Sequence, residues 1–312
     1  MLQTFRTSVD SILPVVVMIL VGYCSARIGW IDEKIGNAFT KIILNISLPC
    51  YMIWNITNSF DRDKFLMLFS GMLIPFLSML IGYVVSILLS ILFKIPREKR
   101  GVFRTAFFCS NTIFVGLPIN LALFGEKSVP YVLLYYIVNT TLFWTLGVYE
   151  ISKDGLSAVP LLSLSSLKKI ATPALLGFII GLILIFLGVS LPHFAMDSFH
   201  SLGNLTTPLA LLFIGFVLYS IHLSEWRIDK DILLVLFGRF IFSPLLVFIL
   251  LHFIHVPELM AKVFIIQSAM PVMTNISIVA KGYGSDYKFA SFATAITSVA
   301  CVIVIPCIMT LI

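Results

Sequence analysis

SNTIFVGLPINLALFGEKS, residues 110 to 128, interrupts a strongly apolar part of this chain. The stretch opens with Ser110, Asn111 and Thr112 and then carries Gly116 and Pro118. Glycine lets the backbone leave helical geometry, and proline fits best in the first turn of a new helix. The stretch therefore predicts a helix that breaks and restarts.

The composition around this break is that of an integral membrane protein. Charged residues make up 12% and hydrophobic residues 59% of the 312 positions, and the mean hydropathy is +1.05. A bilayer core about 30 Å thick needs about 20 apolar residues for each spanning helix. We predict ten spans, at residues 9–27, 36–58, 65–93, 101–124, 129–149, 171–189, 201–221, 231–253, 259–281 and 289–312.

Basic residues are concentrated in alternate turns between these spans. Fourteen Lys and Arg residues fall on one side of the predicted bundle and five on the other. The positive-inside rule makes the richer side cytoplasmic and puts both termini outside the cell. The formal net charge of +6 thus indicates topology in a plasma or bacterial inner membrane. It does not indicate a nucleic-acid partner.

The sequence also repeats itself at an offset of 159 residues. NISLP at 45–49 corresponds to NLTTP at 204–208, and Gly125 corresponds to Gly284. Proline and glycine mark backbone breaks, which recur where a fold recurs. We predict an all-α membrane protein of two five-helix repeats, residues 1–149 and 171–312, joined by a cytoplasmic linker at 150–170. Because five is odd, the second repeat is inverted, as in many secondary transporters.

The same offset pairs the opening break with a second one. Residues 110–118 correspond to AMPVMTNIS at 269–277, in the ninth span. Pro271 disrupts that helix, and Thr274 or Asn275 can cap its restart. Discontinuous helices at matching positions of two repeats indicate a binding site near the membrane midplane. We therefore predict that spans 4 and 9 cross there.

The crossing should favour an anion. Each restarting helix presents free N–H groups and about half a positive charge. No Asp or Glu lies near the centre of a predicted span, and no metal-ligand cluster or cofactor motif occurs. We expect neither a metal nor a cofactor. The candidate substrate-binding residues are Asn111, Thr112, Gly116, Pro118, Asn139, Thr140, Pro271, Thr274, Asn275 and Ser277.

Three more polar residues are candidates for lining a substrate path. Arg239 is a deep charge that either balances a substrate anion or snorkels and bonds helix-end carbonyls. Asn45 and Asn204 precede Pro49 and Pro208, so they either line the path or satisfy carbonyls that those prolines loosen.

The motifs resemble those of the auxin efflux carrier family, within the superfamily that includes the bile acid:sodium symporters. SNTIFVGLP is similar to its Asn-Thr-x-x-x-Gly-x-Pro motif, and AMPVMTNISIVAKGYGSD (269–286) to its ninth span. YIVNTTLFWTLGVYE (136–150) resembles the fifth span of bacterial members. The resemblance implies a scaffold of spans 1, 2, 6 and 7, and a transport domain of spans 3–5 and 8–10.

An elevator-like movement of that transport domain, and a homodimer, are also implied by the resemblance. Asn111, Asn139 and Thr140 would contact a carboxylate, although Asn139 and Thr140 could instead join neighbouring helices. The third span lacks the acidic residue of plant members, and the linker is short. We therefore expect a small carboxylate, such as malate, malonate or an auxin-like acid, with a coupling proton or sodium ion left open.

Three other functions can be compared with the sequence. A sodium-coupled symporter of the bile acid type shares the predicted architecture and is the main alternative. An anion channel would not readily explain an inverted repeat with paired breaks. No His-Glu-x-x-His or Gly-x-Ser-x-Gly pattern occurs, so we expect no enzyme activity.

Overall fold

The computed structural model describes residues 2–59, 70–155, 172–220 and 228–312. Parts of predicted spans 3 and 7 and most of the linker lie outside these ranges. Within them the α-helices are α1 (Leu2–Arg27), α2 (Glu33–Ile42), α3 (Leu48–Ser59), α4 (Leu73–Leu92), α5 (Arg97–Phe108), α6 (Leu117–Phe124), α7 (Val129–Leu142), α8 (Val148–Asp154), α9 (Pro173–Leu187), α10 (His193–Gly203), α11 (Thr206–Ser220), α12 (Lys230–Phe237), α13 (Ser243–Phe253), α14 (Glu258–Ser268), α15 (Asn275–Tyr283) and α16 (Tyr287–Met309).

The predicted all-helical character is confirmed for the described residues. Five continuous helical stretches there are long and apolar enough to cross a membrane: Leu73–Leu92, Glu126–Asp154, His193–Ser220, Lys230–Phe253 and Tyr287–Met309. Shorter apolar helices cover Leu13–Arg27, Thr112–Phe124 and Pro173–Leu187. A chain with this set of helices is a multi-pass membrane protein.

Several of these stretches contain a single π-helical turn. Ile43–Ser47 joins α2 to α3, Phe143–Gly147 joins α7 to α8, and Gly238–Phe242 joins α12 to α13. A fourth, Thr112–Gly116, leads into α6. π-Turns inside α-helices occur frequently at functional sites. Here they carry four of the predicted site residues, Asn45, Thr112, Gly116 and Arg239.

The helix bounds recur at the 159-residue offset. Moving Leu117–Phe124 along by 159 gives 276–283, and the structure has α15 at Asn275–Tyr283. Moving Arg97–Phe108 gives 256–267, and α14 is found at Glu258–Ser268. Local structure therefore repeats where the Pro, Gly and Asn positions of the sequence repeat.

The helices pack in two neighbourhoods that bring the broken helices together. α1 packs mainly against α11, and α3 against α9 and α10. The first broken helix, α5, packs against α4 and α8, while α13 packs against α14 and α4. α6 reaches across to α1, so one half of a broken helix contacts the other neighbourhood.

The helical stretch at predicted span 5 extends further than the sequence predicts. α8 continues to Asp154, past residue 150, where the sequence placed the start of the linker. Glu150 is consequently held in a helix and is buried. Its carboxylate accepts a 2.6 Å hydrogen bond from the Tyr83 hydroxyl and forms a 2.7 Å ion pair with Arg104. These contacts bind α4, α5 and α8 to one another, at the end of α8 remote from the crossing.

Candidate functional site

Both helices break within the stretches that the sequence predicts, but the first break lies at residues 109–111 and not at Gly116, whose backbone is helical. α5 ends at Phe108, and the chain resumes helical geometry at Thr112; α14 ends at Ser268, and α15 starts at Asn275. The two extended segments between them meet in a single antiparallel β-bridge between Ser110 and Val272. The Asn111 N–H donates to the Pro271 carbonyl at 2.8 Å. The two breaks thus form one structure by satisfying each other's freed backbone groups.

The Asn111 side chain stabilises the crossing through two hydrogen bonds. Its side-chain oxygen accepts a 3.2 Å hydrogen bond from the Phe114 N–H, which caps the restarting helix. Its side-chain nitrogen donates to the Thr274 hydroxyl oxygen at 2.8 Å. Since that oxygen is accepting, the Thr274 hydroxyl proton is left to donate elsewhere.

Asn139 holds the same segment from α7. Its amide nitrogen donates to the Ser110 carbonyl, and its amide oxygen accepts from the Ser110 N–H, both at 2.9 Å. The residue is fully buried. The Asn139 amide thus makes the same pair of hydrogen bonds to the Ser110 backbone that a residue on a neighbouring β-strand would make. Asn139 therefore joins α7 to the crossing. The helix-joining alternative raised for Asn139 is the geometry observed.

Thr140, the next residue, has a different environment. Its side chain is 5% exposed, and its hydroxyl oxygen has no hydrogen-bond partner among the described residues. It lines a cavity beside the crossing. A buried hydroxyl without a partner is costly. A ligand or water in the cavity would satisfy it.

Arg239 lies behind the crossing and is completely buried. Its guanidinium donates to the carbonyls of Phe107 (3.3 Å), Ser268 (2.6 Å) and Met270 (3.0 Å), and to the Ser110 hydroxyl. Phe107 and Ser268 lie at the C-terminal ends of α5 and α14, where helix dipoles favour a positive charge. Of the two hypotheses for Arg239, the bonding of helix-end carbonyls is the one observed. The side chain does this from the interior of the protein and does not snorkel to the membrane surface.

Gln267 is a buried contact of the crossing that the sequence analysis missed. Its amide nitrogen donates to the Thr112 carbonyl at 3.2 Å. A Cβ added to Gly116 would overlap with its amide oxygen, so the glycine is needed for close approach. Asn120 donates to the Gly116 carbonyl at 2.7 Å on the same stretch. Gly116 is thus used for packing at the break.

The cavity beside the crossing has a volume of about 180 Å³, which is enough for several water molecules. None of the described residues that line it is an Asp, Glu, Lys or Arg. The lining residues are Leu44, Asn45, Ser110, Asn111, Thr112, Ile113, Phe114, Tyr136, Thr140, Trp144, Thr172, Pro173, Ala174, Met273, Thr274 and Asn275.

The structure brings together only part of the predicted site. Six predicted residues line the cavity: Asn45, Asn111, Thr112, Thr140, Thr274 and Asn275. Seven others do not line it: Gly116, Pro118, Asn139, Asn204, Arg239, Pro271 and Ser277. Of these, Asn204 is exposed beside His200, whose ring nitrogen lies 3.2 Å from its amide nitrogen.

Tyr136, Trp144 and the first residues of α9 also line the cavity, and the sequence analysis did not select them. Thr172 caps α9 by accepting a 3.2 Å hydrogen bond from the Leu175 N–H, and Pro173 occupies the first helical position. Thr followed by Pro is a helix-start signal that can be read in the sequence. Its position beside the crossing depends on tertiary packing.

These features define a class of protein. The chain is a multi-pass helical membrane protein in which two broken helices meet beside a cavity lined by apolar and uncharged polar side chains. Irregular backbone at membrane depth is tolerated where it is buried in protein or lines a cavity, and in transporters it marks the binding site.

Comparisons with known proteins agree with this class. A family model described as "Membrane transport protein" matches residues 7–309. The chain is 27% identical, over 95% of its length and 96% of the relative's, to an uncharacterized transporter of Methanocaldococcus jannaschii. It is 21% identical to the uncharacterized transporter YfdV of Escherichia coli K12, over 96% of this chain and 95% of YfdV.

The chain belongs to this membrane transport protein family, which is the auxin efflux carrier family. The family predicted from the motifs is thereby confirmed, and the match extends over nearly the whole chain.

Proposed function

We propose that the chain is a secondary active transporter of small organic anions, carboxylates such as malate, malonate or auxin-like acids. The substrate binds in the cavity at the crossing. The observation that carries this proposal is the pairing of that uncharged cavity with helix N-termini in front of it and the buried Arg239 behind it.

The electrostatics favour a negative ligand. The restarting helices at Thr112 and Asn275 border the cavity, and each contributes roughly half a positive charge at its N-terminus. Arg239 contacts the Ser110 hydroxyl, and Ser110 itself lines the cavity. Arg239 also offsets the negative C-terminal ends of α5 and α14, and no described acidic side chain lines the cavity to oppose the positive helix ends.

Hydrogen-bonding capacity selects the residues that bind. Thr140 has an unpartnered buried hydroxyl, and Thr274 retains a free hydroxyl proton. Asn275 makes no side-chain hydrogen bond to the described residues and lines the cavity. We infer that these three side chains contact the carboxylate. Asn111 and Asn139 act mainly by holding the crossing.

The transport mechanism that we propose follows the repeat. Two inverted five-helix repeats would give ten spans, with spans 1, 2, 6 and 7 as scaffold and spans 3–5 and 8–10 as a moving transport domain. The packing of α1 on α11 and of α3 on α9 supports such a scaffold. Elevator-like movement of the second domain would then expose the cavity to each side of the membrane in turn.

The setting of the protein is part of the proposal. We expect a homodimer in a plasma or bacterial inner membrane, with both termini outside, and coupling to a proton or to sodium. A sodium-coupled symporter of the bile acid type and an anion channel are the competing functions. Uptake that persists when choline replaces sodium would exclude the first. Saturable uptake with counterflow would exclude the second.

Asn275→Ala tests the site most directly, because it removes a cavity amide that bonds no described residue. We expect the purified variant to keep its melting temperature and to lose carboxylate uptake in proteoliposomes. Asn204→Ala is the matched control, since Asn204 is exposed and does not line the cavity. It should transport normally. Normal uptake by Asn275→Ala would refute a binding site at the crossing.

A further inference from the structure

The cavity has a second polar wall, which the crossing does not supply. The start of α9 contributes Thr172, Pro173 and Ala174, and α7 contributes Tyr136. α9 has 15 residues, so it is about 22 Å long and shorter than a hydrocarbon core of about 30 Å. A helix of that length can begin within the depth of the membrane, next to the cavity.

The first-turn donors of α9 can be counted against the hydrogen bonds of the described residues. Pro173 has no N–H, the Leu175 N–H donates to the Thr172 hydroxyl, and the Leu176 N–H donates to the Thr172 carbonyl. The Ala174 N–H therefore remains. It has no acceptor among the described residues, and Ala174 is 1% exposed. A buried helix-end N–H of this kind needs a partner.

Two hydroxyl groups lie beside this helix end. The Tyr136 and Thr172 hydroxyl oxygens are 3.4 Å apart, and Tyr136 is 6% exposed. Thr140, one turn along α7 from Tyr136, adds the unpartnered buried hydroxyl already described. The Tyr136 to Thr172 separation is at the long limit of a hydrogen bond, so a better acceptor in the cavity would readily take over the tyrosine proton.

We propose that Tyr136 and Thr172 are specificity-determining residues that bind the end of the ligand remote from the crossing. That end would carry a hydrogen-bond acceptor, either a second carboxylate or a hydroxyl oxygen. This inference rests on the proposed function, which places the first carboxylate at the crossing. A ligand with a methyl group at the far end would give the Ala174 N–H no acceptor and would leave the Tyr136 hydroxyl with only its long contact to Thr172.

Pairs of acids that differ only at the far end test this. Malonate and propionate, succinate and butyrate, and glutarate and pentanoate each exchange one terminal carboxylate for a methyl group. We would measure dissociation constants for the purified full-length protein, and competition against uptake in proteoliposomes. One hydrogen bond to a charged group changes affinity by roughly ten- to a hundred-fold. The wild type should show a preference of about that size within at least one pair.

Tyr136→Phe removes only the hydroxyl. We expect it to weaken binding of the preferred diacid about ten-fold and to leave the matched monoacid within about two-fold of wild type. Tyr131→Phe is the control, because Tyr131 is on the same helix and does not line the cavity. Thr172→Val should act like Tyr136→Phe, whereas Thr172→Ser keeps both the helix cap and the hydroxyl and should retain the preference.

The outcomes separate this inference from the proposed function. Equal weakening of diacid and monoacid in Tyr136→Phe would show a packing role and overturn the inference alone. So would a wild type that binds both members of every pair equally well. Failure of the wild type to bind or transport any of the six acids would overturn the proposed function as well. Loss of diacid preference, with monoacid binding intact, supports the inference.

Discussion

Replacing Arg239 by methionine removes the charged group that joins the ends of two broken helices while keeping a similar length of apolar side chain. The guanidinium donates to carbonyls at Phe107, Ser268 and Met270. In Arg239→Met these three buried acceptors lose their donor. The crossing also loses the positive charge that opposes the negative ends of the α5 and α14 dipoles.

The size of the effect follows from those contacts. A buried polar group left without its hydrogen bond costs about 1–3 kcal/mol, so three carbonyls give a cost of about 3–9 kcal/mol before relaxation. Removing a buried charge recovers some desolvation energy, and breaking a comparable buried pair costs about 3–5 kcal/mol. We therefore expect a loss of about 3–5 kcal/mol. Total stabilities of folded domains are only about 5–15 kcal/mol.

The chain contains its own reporters for this measurement. Cys109 and Cys301 are buried, whereas Cys24 and Cys307 are exposed. In a background with Cys24→Ser, Cys307→Ser and the partly exposed Cys50 also changed to Ser, a thiol-reactive fluorogenic dye should report melting as the buried thiols become accessible. Cys109 belongs to the crossing itself, so the dye also detects local opening there.

Two variants make the comparison specific. Arg27→Met removes an exposed arginine from the last turn of α1 and should cost less than about 1 kcal/mol. Arg239→Lys keeps the charge but cannot reach four acceptors with one ammonium group, so it should recover about half of the loss. If Arg239→Met melts within a degree or two of Arg27→Met, the assignment of Arg239 as the support of the crossing is wrong.

Asn139→Leu should destabilise the protein by about 2–4 kcal/mol, because two backbone groups of the crossing lose their partners. Thr140→Val should instead leave the melting temperature unchanged and reduce carboxylate binding; destabilisation by both would contradict the division of roles. Gly116→Ala should cost about 1–3 kcal/mol through overlap with Gln267, and combining it with Gln267→Ala should cost less than the sum of the single changes. Strict additivity would mean that the two residues do not press on each other. A thiol introduced by Ile312→Cys should react with an impermeant maleimide from outside intact cells, and labelling only after permeabilisation would reverse the predicted topology.

The positions of the breaks could be predicted from the sequence because backbone chemistry is local. Pro118 at the restart of the first broken helix, and Pro271 in the other repeat, restrict the backbone wherever they occur in a chain. Gly116, which was predicted to release the backbone, is helical in the structure, so that part of the prediction is wrong. The 159-residue offset then pairs the two breaks without any knowledge of contacts. The same reasoning located Asn275 and Thr274 at a helix start, where the structure has them.

The use of each polar side chain could not be predicted in this way. An asparagine amide bonds a backbone segment or a ligand with the same atoms, so Asn111 and Asn139 looked like substrate contacts although both bond the crossing. Arg239 was expected either to balance a substrate anion or to snorkel and bond helix-end carbonyls; it bonds those carbonyls but is completely buried. Its burial depends on two carbonyl-rich helix ends that come together only in the folded bundle.

The cavity residues at the start of α9 show the same limit of sequence-based prediction, because they are site residues that the sequence did not select. Thr172 and Pro173 carry a readable helix-start signal, but the sequence assigned them only to the beginning of a span. Their value as a site element depends on α9 starting next to Tyr136, on a helix that lies 36 positions away along the chain. No local pattern encodes a pairing at that separation.

A division of labour among neighbouring polar residues follows from these contacts. The amide oxygen and nitrogen of Asn139 both bond the Ser110 backbone, whereas the Thr140 hydroxyl at the cavity has no hydrogen-bond partner among the described residues. Because the bonds that hold the crossing involve protein groups alone, the positive helix ends are in place before a ligand arrives. Under the proposed function, binding would then avoid the cost of assembling the site, and the available hydrogen-bond energy would be left for recognising the anion. A rigid crossing of this kind can also be carried unchanged through the membrane, which is what an elevator mechanism requires of its substrate site.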